Sequence, residues 1–78
     1  MVDQTVEVGD LFRDNDKRLK GSRVIKVLSI EMEGNTAYAV VENVEHWDEK
    51  QIGRRTRVEV DRLKFGAGRQ TGYTKVSH

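Results

Sequence analysis

The amino-acid sequence predicts one small all-β domain that is folded into a five-stranded barrel. The chain has 78 residues, which is room for a single domain. Short runs of apolar residues alternate with polar ones, at the two-residue period that is typical of half-buried strands. Because proline is absent, Gly, Asn and Asp must mark the turns between these runs. A barrel also hides the sheet edges that an open sheet would leave unpaired.

Five segments have the composition and spacing of strands. The second and third are the clearest, since two apolar-rich runs flank the tight turn Glu33-Gly34-Asn35 and therefore predict a hairpin. The fourth alternates cleanly, with Thr56, Val58 and Val60 on one face. The Gly-rich sequence Gly66-Ala67-Gly68 predicts a flexible link to the last strand. The predicted strands cover residues 5–12, 24–32, 36–44, 55–61 and 73–76.

Little helical structure is expected. Residues 43–52 fit a helical stripe poorly, and a single turn at Asp61-Arg62-Leu63 is the most that the pattern supports. We therefore expect a flexible N-terminus at residues 1–4 and one barrel domain over residues 5–78, with at most one short helical turn.

The order of the elements resembles the SH3-like barrels of the KOW and Tudor type. A strand ending in Gly9-Asp10 comes first, and a charged loop, a long hairpin and a strand closed by a short turn such as Asp61-Arg62-Leu63 follow. In such barrels a first long loop and the hairpin ends frame a binding surface. This likeness implies a fold, and function does not follow from a fold alone.

The charges of the chain are segregated along the sequence. The net charge is only +1, but residues 1–12 sum to −3, residues 13–26 to +4, residues 27–49 to −6 and residues 50–78 to +6. Near-neutrality is thus the sum of opposed blocks, which a fold can set apart as faces.

No constellation of residues predicts catalysis, a metal site or a cofactor. Cysteine is absent and the only histidines are His46 and His78. A calcium loop of the EF-hand type that started at Asp14 would need Gly and Glu where Leu19 and Ile25 stand, so Asx-type turns are the better interpretation of the acidic residues there. The start of the chain lacks the features of a signal peptide, and no apolar run is long enough to span a bilayer. We expect a non-enzymatic cytoplasmic protein.

Two basic segments are candidate binding sites for nucleic acid. If Thr56 points inward, Arg55 and Arg57 project together from the outer face of their strand, where guanidinium groups can bind phosphate oxygens. The alternative is a solvated strand face whose arginines pair with Glu59, Asp61 or the acids of residues 31–49. The candidate residues are Arg54, Arg55 and Arg57 in this strand and Lys17, Arg18, Lys20 and Arg23 in the first loop.

The aromatic residues do not favour base stacking. Only five are present, and Phe12 and Tyr38 are expected in the core. Trp47 lies in the acidic stretch Glu45-His46-Trp47-Asp48-Glu49, which would repel a phosphate backbone. Contact with the backbone of a duplex is therefore the better nucleic-acid hypothesis.

Trp47 supports a second hypothesis. An exposed tryptophan in a charged loop is a good anchor for a protein interface, and His46, Asp48 and Glu49 beside it would suit a basic partner surface. The alternative is a tryptophan folded back over the open end of the barrel. A third hypothesis is a homo-oligomer in which charge blocks of opposite sign dock together.

Three stretches of the chain carry a further resemblance. They are residues 8–18, residues 53–58 together with Asp61-Arg62-Leu63, and Thr71-Gly72-Tyr73. In order and spacing they resemble a group of short uncharacterised proteins that are encoded by phages of actinobacteria and by some of their hosts. The resemblance implies a phage-derived accessory protein that acts in the host bacterial cytoplasm, touching nucleic acid or altering a host protein, and it implies no particular activity.

Overall fold

The computed structural model describes residues 4–76, in which five antiparallel strands form one sheet in the order β4-β3-β2-β1-β5. This confirms the predicted all-β class, and the return of the last strand to the side of the first is the strand order of SH3-like barrels. A short α-helix and one 3-10 turn complete the described fold. The elements are β1 Leu11–Asp14, β2 Val24–Glu33, β3 Thr36–Glu45, the 3-10 turn Glu49–Gln51, β4 Arg55–Glu59, α1 Val60–Lys64 and β5 Tyr73–Val76.

The long hairpin of β2 and β3 organises the sheet. Its turn is where the sequence predicts it, with Gly34 at a φ of 60° and Glu33 paired with Thr36. The pairing runs as far as Val24 opposite Glu45, with register shifts between Val24 and Ile25 and between Val27 and Ser29. Such irregularities bend a strand and increase its twist. The first half of β2 can therefore pair with β1 while its second half extends beyond β1.

The core lies on one face of the bent sheet and is covered at one end by α1. Leu63 of α1 is fully buried, so the helix contributes to the core although it has only five residues. Phe12 is fully buried, as predicted. The prediction that Tyr38 lies in the core is wrong, because its side chain is half-buried on the face of β3 opposite to that of the buried Ala39. The buried apolar residues are Phe12, Ile25, Val27, Ala39, Val41, Val58, Leu63 and Tyr73.

The first strand begins later than the alternation of Val6 and Val8 predicts. Gly9 has a φ of 95°, and the carboxylate of Asp10 accepts a hydrogen bond of 2.8 Å from the backbone N–H of Glu7. This turn ends the alternating run, so β1 starts at Leu11. Val6 packs against the core as part of a loop, while Val8 is exposed.

Gln4 lies at the start of the described residues, where the sequence predicts a flexible N-terminus. Its side-chain amide donates to the carbonyl oxygens of Leu63 and Tyr73, at 2.7 and 3.0 Å, and its side-chain oxygen accepts from the N–H of Lys75 at 2.7 Å. Gln4 therefore ties α1 to β5. The rest of that predicted flexible segment, residues 1–3, lies outside the described residues, as do residues 77–78.

The helical content exceeds the single turn that the sequence predicts. The turn expected at Asp61-Arg62-Leu63 is part of α1, and β4 consequently ends at Glu59. A second helical turn, Glu49–Gln51, follows Asp48, whose carboxylate accepts from the backbone N–H of Lys50 at 3.0 Å. This side-chain cap starts a turn that is too short to show a helical stripe in the sequence.

Candidate charged interface

Two loops meet at one end of the sheet. The first loop, residues 15–23, connects β1 to β2, and the second loop, residues 46–54, connects β3 to β4. Because Val24 at the start of β2 pairs with Glu45 at the end of β3, both loops leave the sheet at the same end. A side-chain carbon at Gly21 would lie only 3.1 Å from Cβ of Trp47, so the two loops are in contact there.

Asn43 joins the two loops from within the sheet. It is buried, and its side-chain oxygen accepts from Nε of Arg23 at 3.0 Å while its Nδ2 donates to the carbonyl oxygen of Gln51 at 3.0 Å. Its backbone N–H donates to Arg54, and its carbonyl oxygen accepts from Gly53. Asn43 therefore links Arg23 of the first loop to Gln51, Gly53 and Arg54 of the second, at the end of the sheet where strand pairing already places both loops.

Arg55 and Arg57 project from the outer face of β4, as the alternation predicts. Thr56 lies opposite the buried Val41 and so shares the core face, but it is exposed because β4 stands at the end of the strand order. Nε of Arg55 lies 3.5 Å from a carboxylate oxygen of Glu42 on the neighbouring strand. This contact agrees with the alternative in which the arginines pair with the acids of residues 31–49.

The guanidinium of Arg57 contacts more side chains than that of Arg55. Its guanidinium lies 4.1 Å from the centre of the Tyr38 ring, donates to the carboxylate of Glu33 and has Nε 3.9 Å from a carboxylate oxygen of Glu31. The hydrogen bond to Glu33 is the main reason that the pKa of Arg57 is raised above its ordinary value. A phosphate that approached Arg57 would have to compete with two carboxylates, so this arginine is a poor contact for nucleic acid.

Acids also engage Arg18 and Arg23 of the first loop. Arg18 binds Asp16 through two parallel hydrogen bonds of 3.0 and 2.8 Å, and these bonds are the main reason that the pKa of Asp16 is lowered to about 2. Nη1 of Arg23 binds Asp14 at 2.9 Å, and the Arg23 side chain is only 18% exposed. Arg23 therefore supports the loop and is not presented to a ligand.

The expected Asx-type turns are present in the first loop. A carboxylate oxygen of Asp14 accepts from the backbone N–H of Asp16 at 3.0 Å, and one of Asp16 accepts from the N–H of Arg18 at 2.9 Å. These bonds satisfy the backbone of a loop that has no sheet partner and hold its charged side chains in place.

Lys17, Lys20 and Arg54 remain exposed at this end of the sheet. Arg54 donates to the neutral side-chain oxygen of Gln51 at 3.2 Å. Among residues 4–76, none of the three cations forms an ion pair with a carboxylate. Of the seven basic residues that the sequence singles out, these three are the ones that are exposed and belong to none of the ion pairs within residues 4–76.

Trp47 is partly exposed beside these cations. Its ring stacks on the ring of His46, with centroids 3.9 Å apart and planes inclined by 25°, and 41% of the residue is accessible. Nδ1 of His46 accepts from the backbone N–H of Asp48 at 2.9 Å. Val44 and Ile52, which flank the same segment, are also exposed. Trp47 therefore packs on its neighbours without being covered.

Sequence reasoning missed Asn43 as part of this site, and it offered the acids of residues 31–49 as partners of the arginines without saying which acid meets which arginine. A lone asparagine in the apolar run of β3 is the signal that could have identified Asn43, because a buried amide requires hydrogen-bond partners. The pairing of Arg57 with Glu31 and Glu33 depends on the register of three strands, which the residue types alone do not specify.

Comparison with protein-family models, with curated proteins and with solved structures finds no match to this chain. Over the part of the chain that the structure describes, no group of three or more His, Asp or Glu side chains is placed to hold a metal ion. No helix between residues 4 and 76 is long and apolar enough to cross a membrane.

Proposed function

We propose that this protein is a non-enzymatic binding module that contacts the sugar–phosphate backbone of nucleic acid through Lys17, Lys20 and Arg54. The observation that carries the proposal is the convergence of the two loops at Asn43, which brings exposed cations from distant parts of the sequence to one end of the sheet. Contacts of this kind give affinity without reading sequence, because phosphate oxygens are the same at every base pair.

Arg55 and Arg57 are minor contributors in this proposal. Their ion pairs with Glu42, Glu31 and Glu33 would have to be broken or shared before a phosphate could be bound. The basic strand that is most prominent in the sequence is thus a weaker candidate than the two loops beside it.

Fluorescence anisotropy with labelled duplex DNA, single-stranded DNA and RNA, over a range of salt concentrations, tests the proposal. The variant combining Lys17→Ala, Lys20→Ala and Arg54→Ala is expected to weaken binding to duplex DNA. It should also reduce the slope of log affinity against log salt by about 2.7, because each phosphate that the protein no longer neutralises lowers the slope by about 0.9.

Two control variants distinguish the loss of the proposed contacts from a general loss of positive charge. Replacing Lys26, Arg62 and Lys64 by alanine removes the same charge in β2 and α1, away from the two loops. The double replacement of Arg55 and Arg57 tests the paired strand. An equal fall in affinity in the Lys26, Arg62 and Lys64 variant, or a larger fall in the strand variant, would reject the assignment to the loops.

A protein partner is the second candidate, and the apolar surface of the second loop favours it. Val44, Trp47 and Ile52 are three of the six large apolar side chains that are exposed in the described structure. Aromatic residues are the most frequent energetic anchors of protein interfaces. Trp47→Ala should abolish capture of one specific host protein, whereas Met32→Ala, which truncates another exposed apolar side chain, should not. Retained capture by the Trp47 variant would remove Trp47 from the interface.

The resemblance to phage proteins supports an accessory role in a bacterial cytoplasm under either hypothesis. A nucleic-acid ligand would place the protein on phage or host genomes or transcripts, and a protein ligand would make it a modulator of a host factor.

A further inference from the structure

The second half of β2 has an open edge. Strand β1 pairs only with the first residues of β2, and the last backbone hydrogen bonds on that side join Val27 to Gly9 and Asp10, at 2.8 and 2.9 Å. Beyond this point β2 continues to Glu33 with β3 alone as its partner. Within the described part of the chain, no backbone group bonds to residues 29–33 from the side of β1. Residues 29–33 are called the open edge below.

The open edge is accessible to another chain. Ile30, Glu31, Met32 and Glu33 are all exposed, although their side chains alternate between the two faces of the sheet. Along a strand, alternate residues direct their N–H and C=O groups to opposite sides, so an edge without a partner is a template for pairing with a further strand. Five residues of strand span about 17 Å, which is enough for a short added strand.

The two faces of the open edge differ in chemistry. Ile30 lies opposite the buried Ala39 and therefore shares the core face, where Ile30 and Met32 are 42% and 67% exposed. Glu31 and Glu33 lie on the outer face. A strand added here would meet apolar side chains on one face and carboxylates on the other, because side chains of neighbouring strands interact on the same face.

The outer face beside the open edge is negatively charged. Glu31 and Glu33 share the single guanidinium of Arg57, and Glu59 lies on the same face, opposite Tyr38. Three carboxylates and one guanidinium give this group a formal charge of −2. A second copy of the chain would bring glutamates towards glutamates across the new strand pair, which is destabilising, whereas cationic side chains would complement the face.

We propose that the open edge binds an extended segment of another protein as an added β-strand, and that basic and apolar residues alternate in this segment. Its main chain pairs with residues 29–33, its apolar side chains cover Ile30 and Met32, and its lysines or arginines face the glutamates. The open edge lies near the hairpin turn, at the opposite end of the hairpin from the two loops. The inference is therefore independent of the proposed nucleic-acid contacts and of Trp47.

A synthetic peptide of alternating lysine and valine is the probe, and NMR on the intact chain is the measurement. At saturation the peptide should shift the amide signals of residues 29–33 and slow hydrogen exchange of those N–H groups that do not bond to β3. The amides of the two loops should not change. Absence of binding, or binding that leaves exchange at residues 29–33 unaltered, would overturn the inference.

Altered peptides distinguish strand addition from simple charge attraction. A peptide with glutamate in place of lysine keeps the backbone and the valines but reverses the charge, and it should not slow exchange at the open edge. The lysine peptide is also prepared with N-methyl groups on either alternate set of residues. One of these two peptides directs its methyl groups at the edge and should not bind. Equal protection by the glutamate peptide, or by both methylated peptides, would reject the proposal.

Met32→Lys and Ile52→Lys are a matched pair of variants. Each replaces an exposed apolar side chain by lysine, but only Met32 lies on the open edge. Met32→Lys should weaken binding of the lysine peptide about threefold to tenfold, because an apolar cross-strand contact becomes a positive charge. Ile52→Lys should leave binding unchanged, and equal weakening in both variants would contradict the site.

Dilution of the chain without peptide tests the other possible occupant. The amide signals of residues 29–33 should not move with protein concentration. Shifts at these residues that depend on concentration would show that a second copy occupies the open edge, and would overturn the assignment to a basic segment of another protein.

Discussion

At the level of single residues, Asn43 holds together the two loops that carry the proposed contacts. Replacing it by alanine leaves Nε of Arg23 and the carbonyl oxygen of Gln51 without their partner. A fully buried polar group that loses its hydrogen bond costs about 1–3 kcal/mol, and each of these two groups should cost less because both hydrogen bonds are only part-buried. We expect Asn43→Ala to lower the free energy of unfolding by about 1–3 kcal/mol, as measured by urea denaturation.

A matched asparagine is available as the control for that variant. Asn35 is exposed in the turn between β2 and β3. Replacement of an exposed residue away from special features changes stability by less than about 0.5 kcal/mol. A decrease in stability in Asn43→Ala no larger than that in Asn35→Ala would contradict the role assigned to Asn43.

Asp16 is the residue whose titration reports on the first loop. Its pKa is lowered from 3.8 to about 2, chiefly by the hydrogen bond from the Arg18 side chain and then by the one from the Arg18 backbone N–H. Because the pKa is lower in the folded loop than in the unfolded chain, ionised Asp16 stabilises the loop fully above pH ~4 and this contribution is lost as the pH falls towards 2.

NMR titration of the Asp16 carboxyl carbon measures this effect directly. The midpoint is expected near pH 2 in the wild-type chain. Arg18→Ala should raise the midpoint towards 3.8 without reaching it, since the backbone N–H at position 18 still donates to the carboxylate. A wild-type midpoint close to 3.8 would show that the Arg18 pair does not persist in solution.

Single residues also show how far the sequence could predict the site. It identifies Arg54, Arg55 and Arg57 as a group, and the structure places Arg55 and Arg57 on one face as the alternation requires. It cannot predict which of them are neutralised, because Glu31 and Glu33 reach Arg57 across an intervening strand. Which arginines of β4 meet a carboxylate is therefore known only once the register of the strands is known.

At the level of elements, the hairpin and the last strand are well predicted, whereas the first strand and the last loop are not. The hairpin is specified locally, by apolar runs on either side of Gly34. The first strand shows the same local alternation, but the turn at Gly9 and Asp10 shifts its start to Leu11. The local residue pattern therefore predicts a strand correctly where no side chain forms hydrogen bonds with the backbone groups that would otherwise pair in the sheet.

The loop at residues 65–72 differs from the flexible link that its glycines predict. A Cβ at Gly72 would lie 2.0 Å from the carbonyl oxygen of Gly66, and a Cβ at Gly66 would lie 2.2 Å from the carbonyl oxygen of Arg62. The two ends of the loop thus meet backbone to backbone, next to the end of α1. These glycines are required because the packing leaves no room for a side chain.

Replacing Gly72 by alanine should consequently destabilise the whole domain. The clashing atom belongs to the backbone, so the loop must shift and the contact between α1 and β5 must open. Overpacking of this kind costs about 1–3 kcal/mol and sometimes more. Thermal unfolding followed by circular dichroism should show a clear fall in the midpoint for Gly72→Ala.

Gly68 is the matched control in the same loop. A Cβ there meets nothing within 4 Å, but the φ of 79° is unfavourable for alanine. Gly68→Ala should therefore cost only about 1–2 kcal/mol, from the backbone conformation alone. If Gly72→Ala unfolds no more easily than Gly68→Ala, the close approach of Gly66 and Gly72 is not maintained in solution.

At the level of the whole molecule, strand pairing brings together charge blocks that are separate in the sequence. Arg55 and Arg57 belong to the basic block at residues 50–78, and their partners Glu42, Glu31 and Glu33 belong to the acidic block at residues 27–49. Lys75 of the same basic block binds Asp10 near the N-terminus at 3.1 Å. Several residues of the acidic and basic blocks therefore form ion pairs with each other within one chain.

This internal pairing bears on the hypothesis of a charge-docked homo-oligomer. Docking of opposite blocks between copies would exchange intramolecular ion pairs for intermolecular ones, with little net gain in electrostatic energy, while association also costs translational and rotational freedom. We expect sedimentation equilibrium to give the mass of one chain, 9.0 kDa, at both low and high salt. A mass that exceeds this value at low salt and falls as salt is added would support the charge-docked assembly. A larger mass that does not depend on salt would instead implicate exposed apolar side chains, and comparing Trp47→Ala with Met32→Lys would show whether the second loop or β2 forms the contact.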